Sequence, residues 1–76
     1  MNNRLENIGN NIRDIRKRQQ LSQIDLAVMV GIDRAYLSEI ENGKTNTSIN
    51  VLYAIADALN TPITQFFTEF HKTAKN

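Results

Sequence analysis

The chain has 76 residues, a single histidine, no cysteine and a formal net charge of +1. That length holds one small domain, read here as spanning 1–76, with a modest core, and the absence of cysteine excludes disulfides, thiolate nucleophiles and cysteine-based zinc sites. No apolar run approaches the ~20 residues of a membrane span, and the opening "MNNRLENIGNN" lacks a signal-peptide stretch, so the reading is a cytoplasmic protein without a membrane partner.

In chain order the pattern is helical throughout, with no period-2 run. Leu5, Ile8, Ile12 and Ile15 make one apolar stripe and predict a first helix over 5–19. Arg4, Arg13, Arg16, Lys17 and Arg18 crowd this region against Glu6 and Asp14. Clustered base is a nucleic-acid footprint, and a solvated helix face is the simpler reading of it. Ser22, with Asp25 three residues on, predicts a capped second helix over 23–30 that faces Leu26, Ala27 and Val30 inward and ends at Gly31. Asp33 caps a third helix over 34–41, buried along Leu37 and Ile40 and closed by Asn42-Gly43. Ser48 opens a fourth over 48–59, with Ile49, Leu52, Ile55, Ala56 and Leu59 inward. Thr61 as cap and Pro62 at the first helical position predict a fifth helix over 62–70, then a frayed tail over 71–76. The expected fold class is all-α, a compact five-helix bundle.

The second and third helices, joined through Gly31, Ile32 and Asp33, form a helix-turn-helix pattern. Ala27 is small enough for a close crossing, Gly31 permits the sharp turn, and Val30, Leu37 and Ile40 lock the pair. A helix anchored by one narrow edge leaves Arg34, Ala35, Tyr36, Ser38 and Glu39 outward, a form suited to the DNA major groove.

The motifs L-S-Q-x-D-L-A at 21–27, V-G-I at 30–32, Y-L-S-E-I-E-N-G-K at 36–44 and I-A-D-A-L at 55–59 closely resemble the Xre/Cro-repressor family of helix-turn-helix transcription regulators. The resemblance covers about residues 8–67. It implies a lambda-repressor-like DNA-binding domain, double-stranded operator DNA as partner and a homodimer. It also implies that Gln23 contacts the DNA backbone and braces the recognition helix. Arg34, Ala35, Tyr36, Ser38 and Glu39 take positions that read bases or nearby phosphates, and Asn42, Lys44 and Thr45 occupy the loop that meets phosphates. Arg16 and Glu41 take the family's internal salt bridge.

Side-chain chemistry assigns the roles. Arg34 suits a bidentate contact to guanine, or a phosphate. Tyr36 can touch sugar or a thymine methyl, or cover the second helix. Glu39 can accept from cytosine N4 or orient Arg34. Lys44 neutralises a phosphate and carries no sequence information. Thr47 stands where many family members have proline, and Val28 and Met29 stand where polar residues are usual. The run D-R-A-Y-L at 33–37 and the N-T-S loop resemble restriction-modification controller proteins, which bind operators upstream of their own gene; phage or plasmid repressors share the pattern. Ile49, Val51, Phe67 and Phe70 are assigned to a self-complementary dimer patch, with Phe66 in the core.

Other function classes find less support. His71 falls in the tail, and no carboxylate pair, phosphate loop or nucleophile with a base is visible. The chain is therefore read as non-enzymatic, without cofactor, metal or small-molecule ligand. An antitoxin or protein-interaction module using the same fold, through Val28 and Met29, is the alternative. RNA polymerase is a candidate further partner.

Overall fold

A computed structural model describes residues 3–70. Four α-helices precede one 3₁₀ turn: α1 (Asn3–Arg18), α2 (Gln23–Val30), α3 (Arg34–Glu41), α4 (Ile49–Ala58) and the turn Ile63–Phe66. The predicted tail over 71–76, His71 included, lies outside the described residues.

Each boundary has a local cause. Gln20, at φ 61°, reverses the chain after α1, and the Leu21 N–H donates to Arg16 O at 3.1 Å. Ser22 Oγ accepts from the Asp25 N–H at 2.9 Å, and Asp25 Oδ2 accepts from the Ser22 N–H at 3.1 Å, a complete capping box. Hydrogen bonds from the Ser22 backbone, then its hydroxyl, hold the Asp25 carboxyl below its ordinary value. Gly31 ends α2 at φ 86°, where a side chain would be strained. Asp33 occupies the N-cap position of α3, but its side chain makes no capping bond. Ser48 caps α4 through the Val51 N–H at 3.2 Å.

Ile12 of α1, Leu26 and Ala27 of α2, Leu37 and Ile40 of α3, Leu52, Ile55 and Ala56 of α4, Leu59 and Phe66 form one buried core. Ile49, expected inward, is 54% exposed, and its neighbours Ser48 and Asn50 are exposed with it at the start of α4. Phe66 is fully buried, and such burial contributes about 1.5–3 kcal/mol.

The predicted fifth helix over 62–70 is not formed; a single 3₁₀ turn stands in its place, with Pro62 as its N-cap residue. The competing bonds come from α1. Asn11 Nδ2 donates to Phe66 O at 2.9 Å and Thr68 O at 2.7 Å. Asn7 Nδ2 donates to Thr68 O at 2.8 Å, and Asn7 Oδ1 accepts from the Phe70 N–H at 2.6 Å. These side chains, one helical turn apart, take backbone groups that a continuing helix would have used.

Candidate nucleic-acid interface

The packing of α1 on α3 sets the geometry of the site. A Cβ at Gly9 would collide with the carbonyl oxygens of Ile40 and Glu41, so the two backbones meet there directly. Arg13 and Arg16, one and two turns further along α1, then lie beside Glu41 at the end of α3. Glu41 is fully buried. Arg16 Nε donates to its Oε2 at 2.8 Å and Arg16 Nη2 to its Oε1 at 2.9 Å, while Arg16 Nη1 donates to Leu21 O at 2.8 Å. Arg13 Nε lies 3.5 Å from Oε1, and Gln23 Nε2 donates to Oε1 at 3.0 Å. One carboxylate thereby ties α1, α2 and α3 together. Buried charge persists only with such pairing.

The basic cluster of the first helix is therefore not simply a solvated face. Arg16 is 7% exposed, Arg13 is half-buried, and Arg18 Nη2 pairs with Asp14 at 2.6 Å; Lys17 and Arg4 lie at the surface.

On α3, Leu37, Ile40 and Glu41 are buried, while Arg34, Ala35 and Glu39 are exposed and Tyr36 and Ser38 half-buried. A cation in the first turn and an anion near the end run against the helix dipole. This arrangement does not serve helix stability, and departures of that kind concentrate where a surface serves another purpose.

The remaining assigned residues fall around this helix. Gln23 bridges inward to Glu41 and outward to Arg34, whose Nη1 lies 3.5 Å from Gln23 Oε1. Arg34 is thus met from α2, and among the described residues no ion pair joins it to Glu39. Tyr36 OH pairs with Thr47 Oγ1 at 3.0 Å, which ties α3 to the loop before α4. The departure from proline at Thr47 supplies that bond. Asn42 and Lys44 are exposed and Thr45 half-exposed in the same loop, with Thr45 Oγ1 donating to Asn46 O at 3.4 Å. Asn42 Nδ2 donates to Ser38 O at 2.9 Å. Gly9, Arg13 and Thr47 received no individual role from the sequence. The available signals were a costly glycine inside a helix and an arginine three residues before Arg16 on one face.

Away from this surface, Ile49, Tyr53 and Phe67 are exposed, and Val51 and Phe70 half-buried. Ile8, Phe67 and Phe70 line an open groove. Ile24, Val28 and Met29 are exposed on α2. Among the described residues no helix is long and apolar enough to cross a membrane.

The family model described as Helix-turn-helix (HTH_3) matches residues 12–66. The chain belongs to this helix-turn-helix family. Its fold and family are those of DNA-binding transcription regulators of the Xre type. It is 37% identical over 65 residues to the control protein C.MunI of Mycoplasma sp., covering 84% of this chain and 88% of that protein. It is 40% identical over 52 residues to the immunity repressor of Bacillus phage phi105, covering 68% of this chain and only 36% of that longer protein. The restriction-modification controller protein C.Esp1396I, solved as a tetramer in complex with its natural 35 base-pair operator, superposes with a TM-score of 0.79 at 31% identity, over 88% of both chains. This helix-turn-helix chain is thus controller-like in sequence and fold.

Proposed function

We propose that the protein is a sequence-specific, double-stranded DNA-binding regulator of transcription. It acts as a homodimer on a pseudo-palindromic operator that includes its own promoter, in the manner of restriction-modification controllers. The observation that carries this reading is α3 itself. It is anchored along Leu37, Ile40 and Glu41, and its charged first turn is left exposed. In the proposed complex Arg34, Ala35, Tyr36, Ser38 and Glu39 face the major groove, Gln23 meets the backbone, and Asn42, Lys44 and Thr45 approach phosphates. The exposed Ile49 and Phe67, with Val51 and Phe70, supply the dimer contact. The operator complex of the similar C.Esp1396I supports this reading. Two recognition helices would then stand about 34 Å apart, one turn of DNA.

The test is a binding titration against DNA upstream of the protein's own gene, with random DNA as competitor, at two salt concentrations. Competitor-resistant binding by two protomers per half-site pair is the expected result. Equal, salt-sensitive binding to both DNAs would overturn it. Val28, 75% exposed beside Met29, favours a second reading, a protein-interaction or antitoxin role. That reading predicts capture of a partner that is lost when both residues are changed to aspartate.

A further inference from the structure

The Arg16–Glu41 pair is sufficient to neutralise the buried carboxylate, yet a second arginine converges on the same place. Arg13 Nη2 donates to Glu41 O at 3.0 Å and to Asn42 Oδ1 at 2.6 Å, and its Nε lies 3.5 Å from Glu41 Oε1. Its guanidinium therefore clasps the final turn of α3 from α1. The shortest of these contacts goes to the Asn42 side chain, not to Glu41.

The consequence lies in the Asn42 amide. An asparagine amide is nearly symmetric in shape but opposite in chemistry at its two ends, an acceptor oxygen and a two-hydrogen donor nitrogen. Arg13 occupies the oxygen. Asn42 Nδ2 is turned to the end of α3, where it donates to Ser38 O at 2.9 Å and lies 3.4 Å from Ser38 Oγ. A flipped amide would set a nitrogen against the Arg13 cation and an oxygen against the Ser38 carbonyl, both repulsive. Arg13 and Ser38 O together permit one orientation. In that orientation the acceptor is occupied by Arg13, one N–H is held by Ser38 O, and the other is engaged only by the 3.4 Å bond to Ser38 Oγ, which an approaching phosphate oxygen can replace. An approaching phosphate oxygen accepts hydrogen bonds and repels acceptors, so this is the orientation that a DNA backbone selects.

We propose that Arg13 is a positioning residue of the DNA-binding surface: it does not itself contact DNA, but orients Asn42 to donate to a phosphate and holds the end of α3 in register with the loop that follows. The proposal rests on the DNA-binding reading above, and it assigns a function to a residue which a basic-patch view would treat as one more phosphate-neutralising cation. The two roles differ in measurable ways. A phosphate contact adds about one to the magnitude of the salt slope, and any cation at the site retains most of it. An orienting contact needs the directional fork of arginine, which lysine lacks.

The experiment measures operator affinity for the wild type, Arg13→Lys, Arg13→Gln, Asn42→Ala and the double variant Arg13→Gln/Asn42→Ala, each over a range of salt, with thermal melts to establish that every variant is folded at the assay temperature. Arg16 remains to pair Glu41 in all of them. Arg13→Lys and Arg13→Gln are both expected to weaken operator binding about tenfold, the scale of one polar contact, with the salt slope of Arg13→Lys unchanged. In the Asn42→Ala background, Arg13→Gln is expected to cause little further loss. Full binding by Arg13→Lys, with a slope reduced by about one in Arg13→Gln, would make Arg13 an ordinary phosphate contact and overturn the proposal. Additive losses in the double variant would likewise overturn it. Wild-type protein that does not prefer operator DNA would instead remove the DNA-binding reading, and the proposal with it.

Discussion

Replacing Gly9 with alanine should destabilise the protein, although alanine is the better helix former. On an isolated helix the change would gain about 1 kcal/mol. Here the new methyl group meets the carbonyl oxygens of Ile40 and Glu41, which are backbone atoms and cannot swing aside. Overpacking of this kind costs about 1–3 kcal/mol. Both carbonyls also have partners: Ile40 O accepts from the Gly43 N–H at 3.1 Å, and Glu41 O accepts from Arg13 at 3.0 Å. Separating α1 from α3 weakens the Arg13 bond, which alone of the two crosses between the helices, at about 0.5–1.5 kcal/mol. Set against the helix-propensity gain, the net loss is about 2 kcal/mol, or a fall in Tm of about 8–16 °C for a domain of this size. Urea and thermal unfolding followed by circular dichroism measure it directly. Gly31→Ala is the control, since a Cβ there meets nothing within 4 Å and the cost comes from its φ of +86° alone. A Gly9→Ala protein as stable as wild type would refute the close backbone crossing, and with it the account of how Arg13 and Arg16 reach Glu41.

Further outcomes follow from the same geometry. Glu41→Ala strands the buried Arg16 and should cost about 3–5 kcal/mol in urea unfolding, whereas Arg16→Met combined with Glu41→Leu should recover most of that; equal losses would contradict the pairing argument. Because the folded-state pKa of Asp25 is depressed, its capping contribution is complete above the ordinary carboxylate value and is lost as pH falls through the lowered one. Protection factors of the amides at the start of α2, taken relative to the intrinsic exchange rate at each pH, should therefore fall on acidification from about pH 5 to about pH 2, and an Asp25→Asn variant should not show that acid step. Arg34→Ala should lose about 1–3 kcal/mol on operator DNA and relax one base position, while Lys44→Ala should weaken all sequences alike and lower the salt slope by about one. Footprinting and competition titrations separate these two; equal loss on operator and random DNA for Arg34→Ala would show that it meets a phosphate.

Much of this protein was legible along the chain because the deciding interactions are local. The Ser22–Asp25 box, the left-handed Gly31 and the Ser48 cap each depend on groups within a few residues, so both limits of α2 and the start of α4 follow from residue types and spacing. The apolar stripes likewise foretell that Ile12, Leu26, Leu37, Ile40, Leu52, Ile55 and Leu59 meet in a core, and the helix-turn-helix motif carries the family. Tertiary structure decided the rest. The segment after Pro62 has adequate helical signals, but Asn7 and Asn11, more than fifty residues earlier, bind the backbone groups that a next helical turn would need. The family resemblance singles out Arg16 as the partner of Glu41 but leaves Arg13 as one more base in the cluster. The bare backbone at Gly9 brings both to Glu41, and their different reach gives Arg16 the carboxylate and Arg13 the Asn42 amide. Side-chain partners so distant in sequence leave no periodic trace, because they depend on where two helices cross and not on either helix alone.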